Sequence, residues 1–316
     1  MNPLATNLAV RKDNNVVFLW CVPRSLSTLL TKCLSFVDGI QVWFEPYVVC
    51  YENLTIRNLE FLPDDPKMTL YRERYNLEKL KLAKTITWDD PSTWFEEGNF
   101  RYSWVRKQLE EHEPRKRHVF VKAMAYAVNG IPPHEYLPEV DVKHTFLIRN
   151  PVAVFSSFKT AIENEFEETR STEERGDINI IDDVPIYKPK QFYRQLFNIW
   201  EDIQRKERTH PIVLDSDDVV SNPEATLQKY CREVGFQWDR KLLSWESSHN
   251  VIRRWKGSAN YLRTAPSFFW FKNALSSNRF YPSNKQLPNV KQLSIDVQEC
   301  IFESMPFYNE LKKYKI

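Results

Sequence analysis

The chain has 316 residues, of which 42% are hydrophobic and 27% charged, and its formal net charge is +2 at pH 7. This composition is typical of a globular protein and excludes an intrinsically disordered chain. The near-neutral charge argues against a nucleic-acid binder, which usually carries a strongly basic patch. Glycine occurs only six times and never in a cluster, which excludes a Walker A loop and a GxGxxG dinucleotide fingerprint.

Targeting, membrane and metal signals are missing from the sequence. The N-terminal residues contain no apolar stretch as long as a signal-peptide core, and no segment reaches the roughly 18–20 apolar residues of a membrane span. We therefore expect a cytoplasmic protein with no membrane partner. The five cysteines are never spaced as CxxC, so we predict reduced thiols in the core. The histidines form no HExxH motif or Cys/His cluster, and no metal site is expected.

The first predicted unit is a strand, a tight turn and a helix. Residues 16–20 (VVFLW) are all apolar, as in a strand buried on both faces. From Leu26 to Val37, apolar residues recur at spacings of three and four, which predicts a helix with one buried stripe. Pro23, Arg24 and Ser25 lie at the turn between them.

Later segments continue this alternation. Strands are predicted at 40–44, 118–124, 142–148 and 211–214, and helices include 152–163 and 223–234. The pattern predicts an α/β fold, a P-loop-like three-layer arrangement with a central parallel sheet flanked by helices. We expect a single domain over residues 1–316, with residues 1–15 as an N-terminal extension. The acidic segment 163–190 is predicted to be a mobile surface loop.

The turn after the first strand has the features of an anion site. A helix N-terminus presents free amide groups and the positive end of the helix dipole. Arg24, Ser25, Ser27 and Thr28 add one cation and three hydroxyls at this point, a combination that suits a phosphate or a sulfonate. The alternative is a helix start capped by a serine, which is common.

This turn also resembles a known motif. The sequence VVFLWCVPRSLSTLL (16–30) resembles the 5′-phosphosulfate loop of sulfotransferases that use 3′-phosphoadenosine 5′-phosphosulfate (PAPS). Many of those proteins have Pro-Arg-Ser-Gly-Thr-Thr-Leu or Pro-Arg-Ser-x-Ser-Thr at this turn, whereas this chain has leucine where glycine is frequent. The resemblance implies that the 5′ end of PAPS is bound by Arg24, Ser25, Leu26, Ser27 and Thr28.

A second motif follows the predicted strand at 142–148. The sequence VKHTFLIRNPVAVFSSF (142–158) is similar to the 3′-phosphate motif of the same family, a strand ending in Arg-Asp-Pro with a serine eight residues after the arginine. Arg149 and Ser157 have this separation. An arginine at a strand end can bind a phosphate with two hydrogen bonds, and the alternative is a surface salt bridge. Two phosphate motifs in the family's order strengthen the resemblance.

A third match is less regular. Residues 253–257 (RRWKG) resemble the Arg-Lys-Gly segment that wraps the 3′-phosphate in the cytosolic branch of the family, with Trp255 interrupting the order. The resemblance implies that Arg254, Lys256 and Gly257 contact the donor.

The catalytic base is expected to differ from that of the cytosolic branch. Those enzymes use a histidine in a Lys-Thr-His segment, where this chain has Lys122-Ala123-Met124, and methionine accepts no proton. Tyrosylprotein sulfotransferases use a glutamate just after the second strand, and Glu45 occupies that place. The alternatives are a structural ion pair for Glu45, a structural lysine for Lys122, and His134 as a reserve base.

The expected reaction moves a sulfuryl group from PAPS to a hydroxyl or amine of a small molecule, leaving adenosine 3′,5′-bisphosphate and using no metal. Glu45 would be the general base, Arg24 would stabilise the leaving phosphate electrostatically, and Lys122 would neutralise the sulfonate. Two other functions stay open. One is a non-catalytic protein that binds PAPS or adenosine 3′,5′-bisphosphate. The other is a small-molecule kinase, which the missing Walker lysine disfavours.

Overall fold

A computed structural model describes residues 15–57, 92–111, 117–167, 177–184, 186–265, 269–282 and 286–316. Its strands are β1 (Asn15–Cys21), β2 (Ile40–Phe44), β3 (Trp94–Phe95), β4 (His118–Met124), β5 (Val142–Ile148), β6 (Ile212–Asp215) and β7 (Trp255–Ser258). They form one sheet in the order β3–β7–β2–β4–β1–β5–β6, with every pair parallel. Such a sheet needs cover on both faces, because most residues of its central strands are buried.

Helices follow most strands and cover the sheet. They are α1 (Ser27–Leu34), α2 (Pro46–Glu52), α3 (Tyr102–Glu110), α4 (Pro133–Tyr136), α5 (Pro151–Glu167), α6 (Phe192–Glu207), α7 (Ser216–Ser221), α8 (Pro223–Val234), α9 (Ala259–Thr264), α10 (Phe269–Ser276) and α11 (Ile295–Lys312). The result is a three-layer α/β fold with a central parallel sheet flanked by helices, and the predicted fold class is confirmed. None of the helices in the described ranges combines the length and apolar character needed to cross a bilayer.

The register of the central strands brings the ends of four strands together. Cys21, the last residue of β1, is paired with Met124 on β4 and with Leu147 on β5. On β2, Phe44 is paired with Lys122. The carboxyl ends of β1, β2, β4 and β5 therefore meet at one edge of the sheet, which is where parallel α/β folds place their ligands.

The prediction of a loop at 163–190 is wrong for its first residues, because α5 continues to Glu167. Glu165 is buried and accepts a hydrogen bond from the indole nitrogen of Trp270 at 2.9 Å. This tertiary contact gives the polar end of the helix a partner, and the local sequence contains no sign of it.

The described part of the same segment also contains buried residues. Ile178, Ile180 and Val184 lie in the core, and the Ile180 amide donates to a carboxylate oxygen of Asp296 at 2.7 Å. Residues 168–176 and 185 of the predicted loop, and residues 1–14 of the predicted extension, lie outside the described residues. The single-domain assignment stays a prediction.

The cysteines behave as predicted. All five are buried and free, and they are Cys21, Cys33, Cys50, Cys231 and Cys300.

Candidate active site

A cavity of about 780 Å³ lies at the carboxyl edge of the sheet. Residues from both phosphate-type motifs and from the predicted catalytic set line it. They are Arg24, Leu26, Ser27, Thr28, Glu45, Lys122, Arg149 and Ser157. Ser25 is not among the lining residues: it is fully buried, and its hydroxyl donates to the Val22 carbonyl at 2.7 Å, which closes the turn.

The turn between β1 and α1 has an unusual backbone. Arg24 and Leu26 have φ angles of 64° and 66°, in the left-handed region. A residue other than glycine pays roughly 1–2 kcal/mol for this conformation. In the family that this turn resembles, glycine is frequent at the position of Leu26. Glycine would adopt this backbone conformation without strain. Leu26 is the N-cap of α1 and makes no side-chain cap.

Arg24 is held by contacts to two other elements. Its Nε donates to Ser157 Oγ on α5 at 2.9 Å, and its Nη1 donates to the Trp270 carbonyl on α10 at 2.9 Å. The guanidinium carbon lies 5.6 Å from the centre of the Trp270 ring. Burial, followed by the charge of Arg149, lowers the pKa of Arg24 to about 10. The side chain is thus still a cation at neutral pH, and its direction is fixed.

Arg149 joins the second motif to the first. Its Nη1 donates to the Arg24 main-chain oxygen at 2.8 Å, and its own carbonyl accepts from the Tyr193 hydroxyl. Its Nε is buried and has no hydrogen-bond partner among the described residues. Burial lowers the pKa of Arg149, an effect that Asp217 opposes. A buried donor without an acceptor costs free energy, and a bound anion would provide the acceptor.

Glu45 lies between β2 and α2 as the N-cap of α2, and its φ of 49° is left-handed. Its side chain is 2% exposed. One carboxylate oxygen accepts from Lys122 Nζ, and the other accepts from the Tyr261 hydroxyl. Lys122 Nζ also donates to Thr28 Oγ1 at 2.8 Å. A continuous chain of polar contacts therefore connects Tyr261 and Glu45 to the phosphate-type turn.

Aromatic rings surround these hydrogen-bonded side chains. Lys122 is 0% exposed, and its Nζ lies 4.5 Å from the Phe44 ring centre and 5.5 Å from that of Phe271. Burial, and then the charge of Glu45, raises the pKa of Tyr261 well above its usual value. Tyr261 is therefore a neutral hydrogen-bond donor to Glu45 at neutral pH. The polar groups are held in place by apolar walls.

The third sequence match does not reach the cavity. Arg254 ends a short 3-10 turn and is exposed, while Lys256 and Gly257 lie on β7, paired with Trp43 and Trp94. None of the three lines the cavity. The contact of Arg254, Lys256 and Gly257 with the donor stays a prediction.

The physical reason lies in the residue that interrupts the motif. Trp255 is fully buried, and its Nε1 donates to Ser35 Oγ at 2.7 Å. Its ring stacks on Phe44 with centres 4.5 Å apart. At Gly257, an added Cβ would lie 3.0 Å from Leu262. These contacts fix the segment as a strand of the sheet.

Some lining residues were not predicted from the sequence. Tyr261 and Arg279 line the cavity, and Arg279 stacks on Tyr281 with its guanidinium carbon 4.9 Å from the ring centre. No motif marks either of them. His134, the reserve candidate base, is exposed on α4 and is not among the lining residues. In the described part of the chain, no three His, Cys, Asp or Glu side chains are grouped as metal ligands would be.

No protein-family model matches the chain. A curated relative, "Branched-chain-amino-acid aminotransferase-like protein 2" of Arabidopsis thaliana, is 24% identical over 232 residues, which cover 73% of this chain and 32% of that protein. The chain thus spans about a third of the length of this relative.

Two solved structures are also similar. The sulfotransferase domain from the Synechococcus PCC 7002 olefin synthase is 16% identical with a TM-score of 0.48, covering 92% of this chain and 94% of that one. The sulfotransferase domain from the curacin biosynthetic pathway is 18% identical with a TM-score of 0.49, covering 92% of this chain and 97% of that one.

Proposed function

We propose that this chain is a sulfotransferase that moves a sulfuryl group from PAPS to a hydroxyl or amine of a small molecule. The observation that carries the proposal is the direct contact between the two anion motifs in one cavity. Arg149 Nη1 lies 2.8 Å from the Arg24 carbonyl, and Arg24 Nε lies 2.9 Å from Ser157 Oγ. A single ligand with an anionic group at each end of a nucleoside would use both motifs together.

The 5′ end of the donor would bind at the turn before α1. Ser27 and Thr28 line the cavity there, and the helix N-terminus adds free amide groups. The 3′-phosphate would bind Arg149 and Ser157. Ser157 Oγ accepts from Arg24, so its own proton is available for a phosphate oxygen. Arg279 would supply the further cation that the resemblance had assigned to residues 254–257.

In the proposed transfer, Glu45 accepts the proton of the acceptor hydroxyl or amine. The acceptor oxygen or nitrogen forms a bond to sulfur while the bond between sulfur and the bridging oxygen of PAPS breaks. The electron pair of that bond stays on the leaving phosphate of adenosine 3′,5′-bisphosphate, where Arg24 would stabilise the new charge. Lys122, between Glu45 and Thr28, would neutralise the sulfonate oxygens during transfer. A carboxylate has about four lone-pair sites. Glu45 can therefore take up the proton of the substrate hydroxyl or amine while it keeps its present hydrogen bonds.

The cavity wall near Glu45 supports a small acceptor. Apolar and aromatic side chains dominate it, including Val48, Met124, Tyr126 and Tyr187. The whole cavity of about 780 Å³, shared by donor and acceptor, lies within the range of about 300–1,000 Å³ usual for small-molecule sites. An apolar body bearing one nucleophilic group fits this wall.

The test is mass-detected sulfate transfer from PAPS to a panel of phenols, alcohols and amines, together with calorimetry of adenosine 3′,5′-bisphosphate. We expect binding of the nucleotide and transfer to at least one acceptor class. A non-catalytic binding protein would bind the nucleotide but transfer sulfate to no acceptor. Tight ATP binding with magnesium, and no binding of adenosine 3′,5′-bisphosphate, would favour a kinase and overturn the proposal.

A further inference from the structure

Lys32 is a buried lysine outside the cavity. It lies in the second turn of α1 and is fully buried. Its Nζ donates to the main-chain oxygens of Leu275 and Ser277, the latter at 2.7 Å. Lys122 is also buried and Lys159 is partly buried, but both pair with carboxylates, whereas no described carboxylate forms an ion pair with Lys32. Burial lowers the pKa of Lys32 to about 8.

An ammonium buried without a counter-ion is costly, by several kcal/mol in typical proteins. An apolar side chain of the same length would fill the space without this cost. The position of the two carbonyl acceptors gives a reason for a charged side chain here. Leu275 lies in the last turn of α10 and Ser277 directly follows the helix. The last carbonyls of a helix have no partner within it, and they carry the negative end of its dipole. Lys32 on α1 therefore caps the neighbouring helix α10.

Helix α10 forms one wall of the cavity, since Trp270, Phe271, Asn273 and Ala274 all line it. The carbonyl of Trp270 accepts from Arg24 at 2.9 Å. Helices α1 and α10 are thus joined at both ends, by Arg24 at the phosphate-type turn and by Lys32 about two turns further along α1. A shift of α10 would move the acceptor that directs the Arg24 guanidinium.

We propose that Lys32 is a positioning residue for the donor site. Its ammonium holds α10 against α1, and through α10 it holds the Trp270 carbonyl where that group directs Arg24 into the cavity. The inference rests on the proposed function only for the identity of the ligand. The helix clamp itself is a property of the unliganded protein.

The first test is native-state hydrogen exchange on wild type, Lys32→Met and Cys33→Ala. Cys33 is the matched control, because it is buried on the same helix and its thiol donates a hydrogen bond to the Leu242 carbonyl, which is not part of α10. We expect Lys32→Met to speed exchange of the 270–276 amides by about tenfold or more relative to the rest of the core, a change of roughly 1.4 kcal/mol in local opening. Cys33→Ala should not speed the exchange of the α10 amides relative to the rest of the core.

Unchanged protection of α10 in Lys32→Met would overturn the clamp. If Lys32→Met does not fold, Lys32→Leu, which also removes the donor, is measured in the same way with the same criterion.

The second test is a double-mutant cycle on the Kd for adenosine 3′,5′-bisphosphate. Lys32→Met should raise the Kd about tenfold in the wild-type background, but less than about threefold when Arg24 is already alanine, because the two act through one contact. Cys33→Ala should leave the Kd unchanged. Equal factors in both backgrounds would contradict the positioning role. If wild type binds no adenosine 3′,5′-bisphosphate, the proposed function fails, and hydrogen exchange alone decides the clamp.

Discussion

Arg149 donates a hydrogen bond from Nη1 to the main-chain oxygen of Arg24, 2.8 Å away and 125 residues earlier in the chain. The contact joins the turn after β1 to the end of β5, two adjacent strands of the sheet. Arg24 in turn contacts Ser157 of the second motif. The two anion motifs are therefore one structural unit, and a change in either is expected to affect both ends of a bound donor.

The variant Arg149→Lys tests whether the guanidinium of Arg149 binds a phosphate in addition to the Arg24 carbonyl. Lysine keeps the charge, but its single ammonium lacks the planar set of donors that can hold a carbonyl and a phosphate together. We expect a Kd for adenosine 3′,5′-bisphosphate that is about tenfold higher or more, since hydrogen bonds to charged groups contribute roughly 1.5–3 kcal/mol. Arg194→Lys is the matched control, because Arg194 is 57% exposed in a surface ion pair. Equal affinities of Arg149→Lys and wild type would remove the phosphate role.

Replacing the proposed base, as Glu45→Gln, should reduce turnover by about 10²–10⁴-fold, the usual contribution of general base catalysis. Glutamine keeps the shape of the side chain and still accepts from the Tyr261 hydroxyl, so binding of adenosine 3′,5′-bisphosphate should change little. Glu97→Gln controls for the loss of a buried carboxylate, since Glu97 is 5% exposed and lies outside the cavity lining. Turnover near the wild-type rate in Glu45→Gln would exclude this assignment.

The left-handed backbone of Leu26 leads to a stability prediction. Leu26→Val should lower the free energy of unfolding by about 1–2 kcal/mol, because a β-branched side chain tolerates a φ near 66° poorly. Leu26→Gly should stay within about 1 kcal/mol of wild type, because relief of strain offsets the greater entropy of the unfolded chain. Urea denaturation measures both. A glycine variant less stable than the valine variant would contradict the strain argument.

Arg254 and Arg279 distinguish two assignments of the arginine that binds the donor, one from the sequence resemblance and one from the cavity lining. Arg279 lines the cavity and Arg254 does not. Arg279→Ala should therefore weaken binding of adenosine 3′,5′-bisphosphate about tenfold, as the loss of a charged hydrogen bond would, while Arg254→Ala should change it less than twofold. The reverse result would restore the role that the resemblance gives to residues 254–257.

The strands and the anion motifs were predictable because their signals are local. Strands β2, β4 and β5 have the predicted bounds, since short segments rich in apolar residues favour strands buried in a parallel sheet. Parallel pairing then places the residues after β1, β2 and β5 at one edge of the sheet. Arg24, Glu45 and Arg149 could therefore be expected near one another from the sequence.

Other features depend on contacts distant in sequence. The strand β7 exists because the Trp255 ring is buried against Phe44, and its four residues carry no strand pattern. Helix α5 continues to Glu167 beside a contact with Trp270 from another element. Tyr261 reaches Glu45 across 216 residues. No periodicity or spacing in the sequence encodes such pairs.

In the proposed function, one donor uses both anion motifs at once. Calorimetric titration of the wild-type chain with adenosine 3′,5′-bisphosphate, adenosine 5′-phosphate and adenosine 3′-phosphate tests it most directly. We expect the bisphosphate to bind about tenfold or more tightly than either monophosphate, a difference of at least about 1.4 kcal/mol. A bisphosphate that binds no better than the monophosphates, or does not bind at all, would contradict it.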